Sequence, residues 1–261
     1  MPSELLRPDW AAPAGIVAAM STRRGGVSQA PFDSLNLRPP QLPGQALDEP
    51  AAVLENQRRF AAALGATPRW LDQVHGAQVL RLHSSDPPPA ALPRADASLT
   101  TEPGLACAVL VADCLPLLMC SADGRAVAAA HAGWRGLAAG VVEQTLAALC
   151  RAAACDPGDV LVWLGACIGP GRFEVGADVL LALGVDPAAP SAPRFTARVR
   201  PDGAARWLAD LPGLARDRLQ RAGVRRITGG HWCTVDDGSR FFSYRRDGRT
   251  GRMAAAIAIR A

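Results

Sequence analysis

The stretch LACAVLVADCLPLLMCSADGRAVAAAHAGWRG, residues 105–136, decides the fold of this chain. It holds three short apolar segments, at 105–112, 116–120 and 126–131, and each has the length of a buried strand. A helical pattern follows at 137–154. Strands that follow one another so closely predict hairpin-like pairing, and the helix predicts a crossover connection.

The rest of the 261 residues extends this pattern in both directions. Further strands are predicted at 15–22, 77–83, 159–166, 224–229 and 253–260, and further helices at 50–64, 175–184 and 205–222. Proline-rich segments at 38–50, 86–93 and 186–193 are predicted loops without the length or charge of an interdomain linker. We therefore predict an α+β fold, a single domain over residues 1–261 with mixed β-sheets flanked by helices.

Composition excludes several classes of protein. The chain has no lysine, so all 28 basic residues are arginine, which rules out a lysine Schiff base and a P-loop lysine. The net charge of +4 is modest and spread along the chain, which argues against nucleic-acid binding. No apolar run is long enough to span a membrane and no secretory signal is visible, so we expect a cytoplasmic protein.

The seven cysteines do not form the pattern of a secreted disulfide framework. Cys107, Cys120, Cys150 and Cys155 lie in apolar surroundings and are expected to be reduced core or surface thiols.

Two of the four histidines and one cysteine stand at the ends of predicted strands, where loops gather. His75 lies in Gln73-Val74-His75-Gly76, Cys114 in Ala112-Asp113-Cys114-Leu115-Pro116, and His131 opens His131-Ala132-Gly133-Trp134-Arg135-Gly136. Two imidazoles and a thiolate suit zinc, and three protein ligands leave a fourth position for water or substrate. The alternative is two ordinary polar histidines and a buried thiol, since the three do not form a compact motif.

Three further segments suggest ligand contacts. Arg135 and free backbone N–H groups are predicted at a helix N-terminus, a natural anion site. Arg23, in STRRGGVS at 21–28, could be a second residue that binds phosphate. The alternative is that this segment is an ordinary arginine-rich hairpin or loop. Tyr244 and Arg245, in FFSYRRD, could sandwich a planar base, although an amphipathic strand edge fits them equally well. His83 and His231 have no companions at ligand spacing and are assigned as surface or core histidines.

In order and spacing, a set of motifs resembles the YfiH family, labelled both multicopper polyphenol oxidase (laccase) and purine nucleoside phosphorylase. The resemblance covers about 15 to 260 and rests on STRRGGVS, FDSLNL (32–37), LDQVHG (71–76), RADASLT (94–100), VLVADCLPLLMC (109–120), HAGWRG (131–136), LGACIGP (164–170), FEVG (173–176) and FFSYRRDGRTGRMA (241–254).

The resemblance implies an α+β fold grouped with putative cysteine hydrolases, and a zinc, or alternatively copper, held by His75, Cys114 and His131. It implies phosphorolysis of adenosine, inosine and methylthioadenosine with an adenosine deaminase side activity, and bacterial members are assigned a role in peptidoglycan editing. Predicted catalytic residues are Asp113, Cys114 and Arg135; predicted substrate or phosphate contacts are Arg23, Asn36, Gln73, Arg135, Tyr244 and Arg245. The expected partners are purine nucleosides and phosphate, with the chain a monomer or weak homodimer.

The chain departs from the family pattern at two places. After SLNL the family commonly continues with a glycine, a histidine or similar residue and a Gly-Asp pair, whereas this chain has Arg38-Pro39-Pro40-Gln41. Substrate contacts expected from that loop therefore do not carry over. The family also usually has other residues before its Cys-Thr, so His231 receives no catalytic role.

Beside phosphorolysis, four other functions are compared with the sequence. A true multicopper oxidase needs more imidazoles than four histidines supply. For deamination the usual H-x-E and P-C-x-x-C signature is absent, and Asp113 and Glu174 are candidates for proton transfer; Asp113 could equally orient a histidine. A cysteine hydrolase would use Cys114 as nucleophile and His131 as base, which requires that cysteine to be free of metal. A binding module without catalysis completes the set.

Overall fold

Two large mixed β-sheets and a small third sheet form the frame of a computed structural model that describes residues 4–44, 47–86, 91–189 and 192–261. The strands are β1 Leu5–Leu6, β2 Ile16–Ser21, β3 Thr67–Arg69, β4 Val79–Arg81, β5 Ala97–Thr100, β6 Leu105–Val111, β7 Leu115–Ser121, β8 Val127–Ala132, β9 Val160–Leu164, β10 Glu174–Val175, β11 Phe195–Val199, β12 Ala205–Ala209, β13 Arg226–Gly229 and β14 Met253–Ile259. The helices are α1 Pro50–Leu64, α2 Trp134–Ala138, α3 Val141–Ala153, α4 Ala177–Ala182, α5 Leu211–Arg221 and α6 Tyr244–Asp247, with a 3₁₀ turn at Pro157–Asp159.

The sheets combine parallel and antiparallel pairs. The first has the order β1-β2-β14-β6-β3, the second β13-β9-β7-β8-β5-β4, and the third β10-β12-β11. The pairs β3 with β6, β4 with β5 and β13 with β9 are parallel, and the other pairs are antiparallel. The expectation of mixed sheets flanked by helices is therefore confirmed.

The two large sheets pack face to face and each carries helices on its outer face. Along β14, Met253, Ala255 and Ile257 face the core between the sheets, while the alternate alanines face the layer that contains α1. The outer face of the six-stranded sheet packs against α3 and α5. Because both faces of the central strands are covered, those strands are apolar throughout instead of alternating with polar residues.

Most of the predicted elements are present, with shifts of a few residues at their ends. The helix at 50–64 and the eight predicted strands are confirmed. The predicted helix at 175–184 is shorter, at Ala177–Ala182, and the one at 137–154 is interrupted because Gly140 adopts a left-handed φ of 87°. The prediction of helix at 205–209 is wrong, because this segment forms β12 and pairs with β11 and β10.

Other elements were not predicted from the sequence. They are β1, β3, β5, β10, β11 and α6. In the predicted loops, residues 45–46, 87–90 and 190–191 lie outside the described residues. Among the residues that are described, no helix is both long enough and apolar enough to cross a membrane.

Candidate metal centre and its cavity

His75, Cys114 and His131 converge at one end of the six-stranded sheet. Cys114 lies in the turn where the chain passes from β6 to β7, and the register that pairs Leu115 with Ala132 places it beside the end of β8 and His131. The Cys114 Sγ lies 3.9 Å from His75 Nε2, and the two imidazole rings meet edge to face with centroids 4.9 Å apart. One donor atom from each residue lies within 4.8 Å of the others.

Asp96, which directly precedes β5, holds two of these residues in place. Its buried Oδ1 accepts a hydrogen bond from the backbone N–H of His75 at 2.9 Å and lies 2.8 Å from His131 Nδ1. Its Oδ2 accepts from the N–H groups of Val74 and Gly76. One carboxylate therefore orients the His131 ring, with Nε2 directed away from Asp96, and fixes the His75 backbone at a left-handed φ of 59°.

The electrostatics of the three groups favour a charged thiolate. Burial opposes ionisation of Cys114, but the charge of His131 and hydrogen bonds from His131 and His75 lower the pKa of Cys114 to about 6. Burial also opposes the charge on His131, but Cys114 and Asp96 raise the pKa of His131 to about 9. Burial would raise the pKa of Asp96, yet the hydrogen bonds from His131 and the backbone lower it on balance. A thiolate is the form of cysteine that binds metals.

The cluster also has the dimensions of a metal site. In a tetrahedral zinc site, bonds of about 2.0 Å to nitrogen and about 2.3 Å to sulfur place those two atoms roughly 3.5 Å apart. The separation of 3.9 Å between His75 Nε2 and Cys114 Sγ needs little adjustment to reach that value. Gly133 leaves room for the cluster, since a Cβ there would lie 2.8 Å from Cys114 Sγ and 3.1 Å from His75 Cδ2. Residues of this type and spacing could hold a metal ion.

The cluster opens into a cavity of about 520 Å³. Eight of the sequence-predicted site residues line it: Gln73, His75, Asp113, Cys114, His131, Arg135, Tyr244 and Arg245. It also contains residues that received no role from the sequence, among them Arg38, Asp72, Trp134, Phe173 and Arg252.

Arg23 and Asn36, predicted to contact substrate, are not among the lining residues. The Arg23 guanidinium donates to the carbonyl oxygens of Asp33 and Gly238 and lies over the Phe242 ring. Buried Asn36 donates to Asp48, and its Oδ1 accepts from two backbone N–H groups. Both side chains hold loops together instead of facing the cavity.

Asp113 and Gln73 line the cavity, but their polar atoms already have partners. Asp113 Oδ1 accepts from the Thr234 hydroxyl at 2.6 Å and Oδ2 from the backbone N–H of Arg245 at 2.6 Å. These bonds fix the start of α6, and the histidine-orienting role suggested for Asp113 is filled by Asp96. The Gln73 amide pairs with the backbone N–H and C=O of Leu110.

The remaining residues considered from the sequence lie away from the cluster. Glu174 forms an ion pair with Arg200, His83 pairs with Glu102, and His231 stacks on Trp232 with centroids 3.7 Å apart. All seven cysteines fall within the described ranges and are free thiols. Burial raises the pKa of Cys107 and of Cys120 to about 12, as expected for unreactive core thiols.

The fold of two facing mixed sheets is shared with known proteins. The sequence profile of the family described as multi-copper polyphenol oxidoreductase laccase matches residues 17–260, and the chain belongs to this family. It is 49% identical to a purine nucleoside phosphorylase of Pseudomonas aeruginosa over 253 residues, and this match covers 97% of each chain. It is 48% identical to the purine nucleoside phosphorylase YfiH of Escherichia coli K12 over 258 residues, and this match covers 98% of each chain.

Crystal structures of related chains have the same fold. A Neisseria meningitidis protein superposes with a TM-score of 0.84 at 41% identity, covering 98% of this chain and 99% of that one. YlmD of Geobacillus stearothermophilus superposes with a TM-score of 0.85 at 32% identity, covering 98% and 96%. The resemblance to the YfiH family is therefore confirmed along almost the whole length.

Proposed function

We propose that this chain is a zinc-dependent purine nucleoside phosphorylase that acts on adenosine, inosine and methylthioadenosine. The observation that carries the proposal is the His75, Cys114 and His131 cluster in a cavity large enough for a nucleoside. The names of the relatives from Pseudomonas aeruginosa and Escherichia coli support the same activity.

Arginines and aromatic rings supply a surface for a planar base. The Arg135 guanidinium lies 4.2 Å above the centre of the Trp134 ring, and that of Arg245 lies 5.6 Å from the centre of the Phe173 ring. Tyr244 is exposed at the same cavity. Flat cationic and aromatic groups favour stacking with a purine, so we assign this side of the cavity to the base.

Phosphorolysis exchanges one bond at the ribose C1′ for another. A phosphate oxygen forms a bond to C1′ while the bond from C1′ to the purine nitrogen breaks. The electron pair of that bond leaves with the base, which takes up one proton, and the sugar becomes ribose 1-phosphate. Positive charge develops on the ribose and negative charge on the base, so positioned arginines and dipoles lower the barrier.

Two imidazoles and one thiolate suit a zinc site with an open fourth position and also a blue-copper centre, which adds a weak axial ligand such as methionine. No methionine is among the described residues that line the cavity, so we assign zinc as the resident ion. When bound, zinc would supply a Lewis acid that polarises a substrate oxygen or nitrogen or a water molecule. The protein itself contributes orientation: Asp96 fixes His131 and the backbone of His75, and Gly133 leaves the space that Cys114 occupies.

The same cavity would support a deaminase side activity on adenosine. In that reaction water adds to C6 of the purine, one of its protons ends on N1, and the other ends on the departing nitrogen, which leaves as ammonia. Asp113 is our candidate for these proton transfers because it lines the cavity beside Cys114, and its hydrogen bonds from Thr234 and the Arg245 backbone hold it there. Glu174 is a weaker candidate because its carboxylate forms an ion pair with Arg200.

The direct test is chromatographic analysis of purified protein incubated with adenosine, with and without phosphate. We expect adenine and ribose 1-phosphate only when phosphate is present, and inosine in both conditions. Cys114→Ser should lose metal and both activities, whereas Cys150→Ser, at a half-buried thiol on α3, should keep them. Full turnover by the Cys114→Ser protein would refute the assignment of the site.

One observation favours a second function, a cysteine hydrolase that acts on amide bonds of cell-wall precursors. Cys114, His131 and Asp96 form a chain of thiolate, imidazole and carboxylate that resembles a nucleophile, base and orienting acid. A cysteine bound to zinc cannot readily act as the nucleophile. Metal analysis separates the two functions: about one zinc per chain in active protein supports the phosphorylase, and activity of metal-free protein on wall amides supports the hydrolase.

A further inference from the structure

Arg38 and Arg252 bring two positive charges to the cavity although they are far apart in the sequence. Both line the cavity that contains Cys114. Arg38 lies in the segment where the sequence departs from the family pattern, and Arg252 directly precedes β14.

A single buried side chain fixes the backbones of the two arginines. Asn36 Oδ1 accepts a hydrogen bond from the N–H of Arg38 at 3.2 Å and from the N–H of Arg252 at 2.9 Å. The N–H of Leu37 donates to the carbonyl of Arg252 at 3.0 Å, which ties the two segments together again. The amide of Asn56 supports the same loop by donating to the Asn36 carbonyl oxygen. The positions of the two arginines relative to each other are therefore built into the fold.

Neither arginine is neutralised by a close carboxylate. Within the described ranges, neither has an acidic group within ion-pair distance; Asp72, which also lines the cavity, forms its ion pair with Arg94 at 3.9 Å. The bonds found for the two guanidinium groups run to backbone carbonyls, of Pro43 for Arg38 and of Thr250 and Gly251 for Arg252.

Burial and mutual repulsion both act against the positive charges of the two arginines. Burial lowers the pKa of Arg252 and the charge of Arg38 lowers it further, and the opposing effects of Cys114, Asp113 and Tyr244 do not offset this. Burial also lowers the pKa of Arg38, against the opposing effect of Asp72. Half-buried like charges are costly unless an anion joins them, and guanidinium groups bind tetrahedral oxyanions through paired N–H donors.

We infer that Arg38 and Arg252 form the subsite that binds the phosphate co-substrate, whereas Trp134, Arg135 and Arg245 contact the base. The inference rests on the proposed phosphorolysis and adds the residues that bind its nucleophile. It also gives the segment at 38–41, which differs from the family pattern, a role of its own in this chain.

Binding of inorganic phosphate to the zinc-loaded protein, measured by titration calorimetry, tests the subsite without any turnover. Arg38→Gln and Arg252→Gln should each weaken phosphate binding by about ten- to a hundredfold, as expected for the loss of hydrogen bonds from a charged donor. Arg38→Lys should recover part of the affinity, because it restores the charge without the planar fork. The control is Arg151→Gln, an exposed change of equal charge on α3 that should bind phosphate as the wild type does.

Steady-state kinetics with a nucleoside provide the second measurement. In Arg38→Gln, KM for phosphate should rise about tenfold or more while KM for the nucleoside and the zinc content stay within twofold of the wild type. Unchanged phosphate affinity and unchanged KM for phosphate in both variants would overturn the subsite while leaving the phosphorylase function standing. If no nucleoside is cleaved but phosphate binding still depends on both arginines, the proposed function fails and the anion site remains.

Discussion

Asp96 is the residue that connects the two histidines of the site. Asp96→Asn should weaken zinc binding by about ten- to a hundredfold, because an amide cannot accept all the hydrogen bonds that the carboxylate accepts from His131 and the 74–76 backbone. Competition with a chromophoric chelator measures the affinity. Asp123→Asn, an exposed change, should leave it unaltered; a zinc affinity of wild-type strength in Asp96→Asn would show that this carboxylate does not support the site.

Gly133 is required because of close approach to the metal ligands. In Gly133→Ala the new Cβ would lie 2.8 Å from Cys114 Sγ, so the thiol must move and the metal content should fall well below one per chain. Gly171→Ala is the matched control, since nothing lies within 4 Å of a Cβ at that position. Elemental analysis and circular dichroism on both variants separate loss of metal from loss of fold, and normal zinc content in folded Gly133→Ala protein would contradict this geometry.

The sequence predicted the three metal-ligand candidates but not the residues around them. His75, Cys114 and His131 were recognisable because each stands at the end of an apolar strand in a distinctive motif. Asp96 also lies in a quoted motif, yet its role depends on the pairing of Ala97 with Ala130 in β5 and β8, which places it beside His131. The segments of Arg38 and Arg252 are joined by Asn36 and by the hydrogen bond from Leu37 to Arg252. Such contacts between distant segments leave no local periodicity in the sequence.

The break between α2 and α3 depends on one backbone conformation. Gly140 has φ of 87°, and a Cβ there would meet only Glu143 Oε2 at 3.7 Å. Gly140→Ala should therefore lower the free energy of unfolding by about 1–2 kcal/mol. The cause is the cost of the left-handed conformation for a residue with a Cβ, and not a steric clash. Denaturant unfolding measures the change, with Gly15→Ala as control because that position is open and has no left-handed φ. Equal stability of the wild type and Gly140→Ala would show that residue 140 can leave the left-handed conformation without cost, so that α2 and α3 join into one continuous helix.

At the scale of elements, the sequence predicted the buried apolar strands more reliably than the short strands that contain polar residues. The core strands β6, β7, β8, β9 and β14 are apolar on both faces and were recognised from continuous runs. The segment 205–209 was predicted as helix because its pattern continues into α5, but pairing with β11 makes it a strand up to Asp210, which caps α5. Tertiary pairing of this kind overrides local propensity.

At the scale of the whole molecule, the cluster links segments around positions 75, 114 and 131 and a metal should stabilise their packing. We compare protein in free zinc at about a hundred times its Kd with the same protein after a chelator has removed the metal. The chelator should lower Tm by roughly 5 to 10 °C. Cys114→Ser, which loses a ligand, should show no such dependence on the chelator. An identical Tm for wild-type protein with and without chelator would argue that the ion does not bind the folded chain at this site.

We propose that one metal ion in the His75, Cys114 and His131 cluster supports phosphorolysis of a purine nucleoside. The most direct test is a titration of metal-free protein with zinc while phosphate-dependent release of adenine from adenosine is measured. We predict negligible release without metal and a rise that saturates at about one zinc per chain, with no rise in Cys114→Ser. Full phosphate-dependent activity in protein proven free of metal would contradict this proposal.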